Sequence, residues 1–170
     1  MKTQITIRQA TAEDLEPIRQ LCRDYRTLLV ERTSPVSDIA EAYYAHDAYE
    51  ALMENLPELH ARPDGFILAA ILDDKVVGCA MTHRIDAEKT EIKRIFVAQS
   101  ARGLGVAKQL CQAAMRQSKT DGYSRMVLDT VKELPEAIAL YQQLGFVPAP
   151  AFYELNPKYK DQILFFGIDL

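Results

Sequence analysis

Cysteine is scarce in this chain: Cys22, Cys79 and Cys111 are the only three in 170 residues. They are odd in number, far apart and each in an apolar context, which reads as buried reduced thiols and not as a disulfide framework. His46, His60 and His83 share no metal-ligand spacing, so no metal is expected. Long apolar runs are missing as well. The longest, residues 66–72, is far too short to cross a bilayer, and Met1-Lys2-Thr3-Gln4 has none of the apolar core of a secretory leader. A cytoplasmic protein with no membrane partner is therefore expected. A net charge of −4 and a pI of about 5.4, without a basic stripe interleaved with aromatics, argue against nucleic acid as a partner. No repeat or low-complexity linker interrupts the chain.

What is present suits one soluble domain over residues 1–170, with 48% hydrophobic and 26% charged residues. Residues 4–8 alternate at period two, and Thr11-Ala12-Glu13-Asp14 then offers a cap for a helix with Leu15, Ile18, Leu21, Cys22 and Tyr25 at helical spacing. Ser34-Pro35 breaks that pattern, and residues 38–55 resume it as a second helix. Residues 65–72 and 75–84 are β-branched, apolar runs that read as a hairpin about Asp73-Asp74, with residues 90–97 as a third strand. Further strands are expected at 124–130 and 162–169, with a short irregular one at Phe146-Val147, where Pro148 and Pro150 follow. This order predicts an α+β fold with a sheet of mixed direction and helices on both faces.

The most informative stretch is Arg102-Gly103-Leu104-Gly105-Val106-Ala107, which follows the β-like run 91–97 and opens a helix-like run at 108–119. Glycines let the backbone turn tightly and approach a ligand, while the first N–H groups of a helix lack internal partners and can face phosphate oxygens. A P-loop would need Gly-Lys followed by Ser or Thr, and no such string occurs. A dinucleotide fingerprint would need Gly or Ala where Lys108 stands. The spacing that fits is Arg-x-x-Gly-x-Ala at Arg102, Gly105 and Ala107. With Glu91-Ile92-Lys93-Arg94-Ile95-Phe96-Val97 upstream and Ala137-Ile138-Ala139-Leu140-Tyr141-Gln142-Gln143-Leu144-Gly145-Phe146 downstream, it resembles the two signatures of the GNAT superfamily of N-acetyltransferases. The resemblance covers roughly residues 65–170; residues 1–64 match mainly in the order of elements.

That resemblance implies a mixed, mostly antiparallel twisted sheet of about six or seven strands flanked by about four helices. It also implies a splayed strand pair that admits the pantetheine arm of acetyl-CoA, the expected co-substrate. Donor binding would fall to the backbone of Gly103, Leu104, Gly105, Val106 and Ala107, with Arg102 and Lys108 nearby. Between residues 89 and 108 five basic residues face one acid, a field that favours phosphate, although Lys93, Arg94 and Lys108 read equally as solvated surface. Backbone N–H groups near Phe96 and Val97 would bind the oxyanion and the pantetheine amide. Glu91 is the candidate general base, if partial burial raises its pKa, against the alternative of a surface ion pair with Lys89 and Lys93. Tyr141 is the candidate acid for the departing thiolate, against the alternative of a core ring on the face of Leu134, Ile138 and Leu144.

On the acceptor side, Tyr43, Tyr153 and Asn156 are candidate substrate contacts, with Tyr44 and Tyr49 readable as pocket wall or core. Between residues 33 and 61 lie six acidic residues and no lysine or arginine, a rim that would draw a cationic amine or equally a solvated helix face. The expected partner is an amine, small molecule or peptide, acetylated by direct attack in a ternary complex. A non-catalytic acyl-CoA-binding regulatory module is the alternative, and a homodimer is left open.

Overall fold

The computed structural model describes residues 4–170. Seven strands, β1 (Thr6–Gln9), β2 (Phe66–Leu72), β3 (Lys75–Arg84), β4 (Lys89–Val97), β5 (Arg125–Val131), β6 (Val147–Pro148) and β7 (Ile163–Asp169), form one sheet in the order β1-β2-β3-β4-β5-β7-β6. Every neighbouring pair is antiparallel except β4 with β5. The helices are α1 (Leu15–Thr33), α2 (Ile39–Tyr44), α3 (His46–Glu54), α4 (Leu56–Leu59), α5 (Val106–Thr120) and α6 (Pro135–Gln143). The β2–β3 hairpin turns at Asp73 and Asp74, both left-handed at φ 48° and 61°, as a two-residue turn matching the twist of its strands requires.

Two apolar layers cover the sheet. On one face α1 and α3 bury Ile18, Leu21, Cys22, Tyr49 and Met53 against Ile67, Cys79 and Met81. On the other, α5 buries Val106, Leu110 and Ala114 against Ala70, Ala80 and Met126, and α6 adds Tyr141. A β2 buried on both faces explains why its sequence is a continuous apolar run and not an alternation. All three cysteines are buried and free.

Three departures from the sequence reading matter for the site. The helix expected over residues 38–55 is divided: Ala45 is extended (φ −51°, ψ 136°), and the Tyr44 carbonyl it releases accepts the Arg26 Nε–H at 2.6 Å. Strands β4 and β5 pair only from Lys89 to Glu91 against Arg125 to Val127, and then part. Finally, β4 carries a bulge: Cys79 pairs with Phe96 and Met81 with Lys93, so Arg94 and Ile95 together oppose Ala80. Arg94 takes the left-handed conformation there, φ 51°.

Candidate functional site

The loop between β4 and α5 is built around two left-handed glycines, Gly103 at φ 79° and Gly105 at φ 75°, the latter capping α5. A Cβ placed on either would meet nothing within 4 Å, so the space over the loop is open. Gly103, Leu104 and Gly105 donate no backbone hydrogen bond among the described residues, and the first N–H groups of α5 have no intrahelical acceptor. A row of unpaired donors therefore faces an open hollow, the arrangement an anion needs. Arg102 stacks its guanidinium 5.5 Å from the Phe96 ring centroid and reaches the Val97 carbonyl at 3.4 Å. Lys108 is exposed on the first turn of α5, and Leu104 is exposed and turned away from the hollow.

From this loop a cleft of about 500 Å³ runs beside the end of β4 between α5 and α6, walled by Val97, Val106, Ala107, Leu140 and Tyr141 among others. Ala98 donates its N–H to Val77 on the β3 side at 2.7 Å. By alternation the Val97 N–H faces the gap, while that of Phe96 faces β3. Of the two expected backbone donors only Val97 is thus free to serve the cleft; the Phe96 side chain packs against Tyr25, ring centroids 5.8 Å apart.

Tyr141 stands at the inner end. Its ring is 8% exposed and edge-on to Phe146, centroids 5.9 Å apart, so the core reading of its position holds for the ring. Its hydroxyl has no hydrogen-bond partner among the described residues, and burial pushes its pKa well above that of an ordinary phenol, so it stays protonated.

A second cavity, of about 330 Å³, lies beyond the first and is walled by Tyr25, Tyr43, Tyr44, Tyr49, Tyr153, Lys93, Arg94 and Asp129. Tyr25, Ile95 and Tyr141 belong to the walls of both, so the two cavities meet at Tyr141. Tyr43 and Tyr153 are therefore on the cavity wall. Asn156 is not: its Oδ1 accepts the Lys158 N–H at 3.0 Å and caps a short turn. None of the six acidic residues between 33 and 61 lines either cavity, which corrects the acidic rim; Glu50 is held by Arg23 and Asp38 by Lys158 and Tyr159.

Glu91 also lines neither cavity. It is 3% exposed, accepts from His83 Nε2 at 2.6 Å and lies 3.3 Å from Lys93 Nζ. Burial pushes its carboxyl up, but the His83 hydrogen bond and the Lys93 charge outweigh burial and hold it below the ordinary range. The expectation of a base with a raised pKa is corrected: this carboxylate is engaged in fixing Lys93.

The carboxylate that does face the cavity is Asp129 on β5. Burial raises its pKa, opposed by the nearby Lys93 charge and by the Tyr153 hydroxyl, which donates to Oδ2 at 2.6 Å. The sequence reading missed it, although a lone acid in the apolar run Met126-Val127-Leu128-Asp129-Thr130-Val131 was a usable signal.

Comparison with known proteins agrees with this architecture. The family model described as Acetyltransferase (GNAT) family matches residues 25–146. An IAA acetyltransferase of Azospirillum brasilense is 31% identical over 138 residues, covering 75% of this chain and 90% of that protein. An uncharacterized N-acetyltransferase of Dictyostelium discoideum is 39% identical over 71 residues, covering 42% of this chain but only 32% of its own length. The crystal structure of a PaiA N-acetyltransferase from Thermoplasma acidophilum in complex with coenzyme A superposes with a TM-score of 0.74 at 18% identity, covering 98% of this chain and 99% of that one, a likeness of fold. With the family model spanning most of the chain and the seven-stranded, splayed sheet matching the fold, this protein belongs to the GNAT acetyltransferase family.

Proposed function

We propose that the protein transfers the acetyl group of acetyl-CoA to a primary amine by direct attack in a ternary complex. The observation that carries this reading is the junction at Tyr141, where a cleft anchored on a phosphate-type loop opens into a second, polar-walled cavity. A donor held by the loop and an amine held in the second cavity would meet there without an enzyme-bound intermediate. No thiol is needed for the transfer, and Cys22, Cys79 and Cys111 are all buried in the core.

Each residue has one task in this scheme. Gly103 to Lys108 hold the diphosphate through backbone N–H groups, with Arg102 adding charge. Asp129 takes the proton of the attacking ammonium, directly or through water, and a raised pKa suits a base working near neutrality. As the amine nitrogen bonds to the acetyl carbon and the carbon–sulfur bond breaks, the Val97 N–H stabilises the oxyanion. Tyr141 gives its proton to the departing thiolate and regains one from the second proton that the nitrogen sheds as the tetrahedral intermediate collapses, so the net yield is the single proton taken by Asp129, which passes to solvent. Release of free thiol from acetyl-CoA, dependent on added amine, tests the proposal. Binding of acetyl-CoA with no thiol release across a broad amine panel would leave a non-catalytic acyl-CoA-binding module.

A further inference from the structure

The acceptor cavity carries a cation with no counter-ion. Seven arginines elsewhere reach a carboxylate within 4.0 Å, but half-buried Arg94 reaches none among the described residues. Its Nη1 donates instead to His60 Nε2 at 3.0 Å and, weakly, to Met81 Sδ at 3.6 Å. His60 can accept there because its Nδ1–H donates to the Thr82 carbonyl at 2.8 Å and because burial lowers its pKa to about 4, leaving the ring neutral. A neutral imidazole orients the guanidinium without satisfying its charge, and the remaining donors of the fork are free for a planar anion.

The backbone is arranged to bring this charge into the cavity. Strict alternation would send Lys93 and Arg94 to opposite faces of the sheet. The bulge opposite Ala80 cancels that, and both side chains line the acceptor cavity. Arg94 is the one non-glycine residue at positive φ outside the hairpin turn among the described residues, and such strain persists where the surroundings impose it for a purpose. Neither cation lines the donor cleft, so the phosphates of the donor do not account for them. The same cavity is lined by Asp129 and by five tyrosines besides Tyr141.

Within the acetyltransferase reading, on which this rests, we infer that the acceptor is a free amino acid, its carboxylate held by Arg94 and Lys93 and its amino group turned toward Asp129. Lys93 is already paired with Glu91, so the charges that remain match one by one: Arg94 for a carboxylate, Asp129 for an ammonium. A simple amine leaves Arg94 uncompensated, and a polyamine sets further positive charge against Lys93 and Arg94.

Two measurements test the inference, one of turnover and one of binding alone. In a thiol-release panel, amino acids should be turned over with a kcat/KM at least about 100-fold above that of the matched amines lacking the carboxylate, such as phenylalanine against phenethylamine, because without the carboxylate the half-buried Arg94 charge is left unpaired. Arg94→Gln should collapse that ratio toward one, while stabilisation of the variant by acetyl-CoA in a melting experiment confirms that it is folded. Calorimetry of the same amino acids with the wild-type protein saturated with coenzyme A reads the site without turnover, and Arg94→Gln should abolish the heat. Turnover of carboxylate-free amines or polyamines at or above that of amino acids overturns the inference and leaves the acetyltransferase intact. Binding of amino acids that depends on Arg94, with no thiol release for any amine, upholds the site and overturns the catalysis. Absence of amino-acid binding to the coenzyme-saturated protein overturns the inference outright.

Discussion

Replacing Tyr141 by Phe separates the chemical role of this residue from its structural one. The ring is 8% exposed and packs on Phe146 and Phe166 with centroids 5.9 and 6.5 Å away, contacts that phenylalanine keeps. The hydroxyl has no hydrogen-bond partner among the described residues, so its removal forfeits none of the roughly 1 kcal/mol that an intramolecular hydrogen bond contributes, and the melting temperature should hold. Loss of a positioned proton donor costs about 10² to 10⁴ in rate, or about 3–5 kcal/mol of barrier at 1.36 kcal/mol per decade. The assay is thiol release at saturating acetyl-CoA, with calorimetric donor affinity measured beside it. A hundredfold lower kcat with unchanged donor affinity and unchanged melting supports the acid role. An unchanged kcat, or a clear loss of stability, refutes the reasoning and returns Tyr141 to the core.

Four other substitutions probe the remaining parts. Gly105→Glu puts an L-residue at φ 75°, a strain of about 1–2 kcal/mol, and a negative charge in the open space over the loop; the heat of acetyl-CoA binding should vanish while the protein still melts cooperatively. Asp129→Asn should lower kcat by about 10²-fold or more and remove the acid limb of the pH–rate profile. Because burial raises the Asp129 pKa, that limb in the wild type should lie above the ordinary carboxylate range, activity falling as pH falls through it. Glu91→Gln should keep the acid limb, since Glu91 is already ionised below that range. Finally, the His60 pKa is lowered from 6.5 to about 4, so on acidification the unfolded chain takes up a proton that the folded chain refuses. Stability is therefore full above pH 6.5 and falls by up to about 3 kcal/mol toward pH 4, and urea titrations of His60→Gln should show a flatter dependence.

The loop proposed to hold the donor was legible in the sequence as a glycine turn between a strand and a helix, because backbone geometry makes it. Glycines at Gly103 and Gly105, a β-rich run before them and an amphipathic run after them leave few alternatives for the local chain, and the order of strands followed from the same punctuation. The acceptor half depends on side chains brought together by tertiary packing. Nothing in Lys93-Arg94-Ile95 announces a bulge, since Arg94 has no intrinsic preference for positive φ, and without the bulge the parity of β4 is misread. Asp129 was missed for the same reason: which face of a strand looks into a gap depends on where two strands part, and here the ladder ends at Glu91 and Val127. The break at Ala45 was also out of sight, because no glycine or proline marks it and the partner of the Tyr44 carbonyl, Arg26, comes from α1.

In the proposed reaction the backbone from Gly103 to Lys108 grips the diphosphate of the donor. Calorimetric titration of the wild-type protein with acetyl-CoA, and in parallel with acetyl-pantetheine, which lacks the diphosphate, tests it most directly. One binding event per chain for acetyl-CoA, with acetyl-pantetheine weaker by about 100-fold or more, is the predicted result. Equal affinity for the two, or no heat with acetyl-CoA at all, would contradict it.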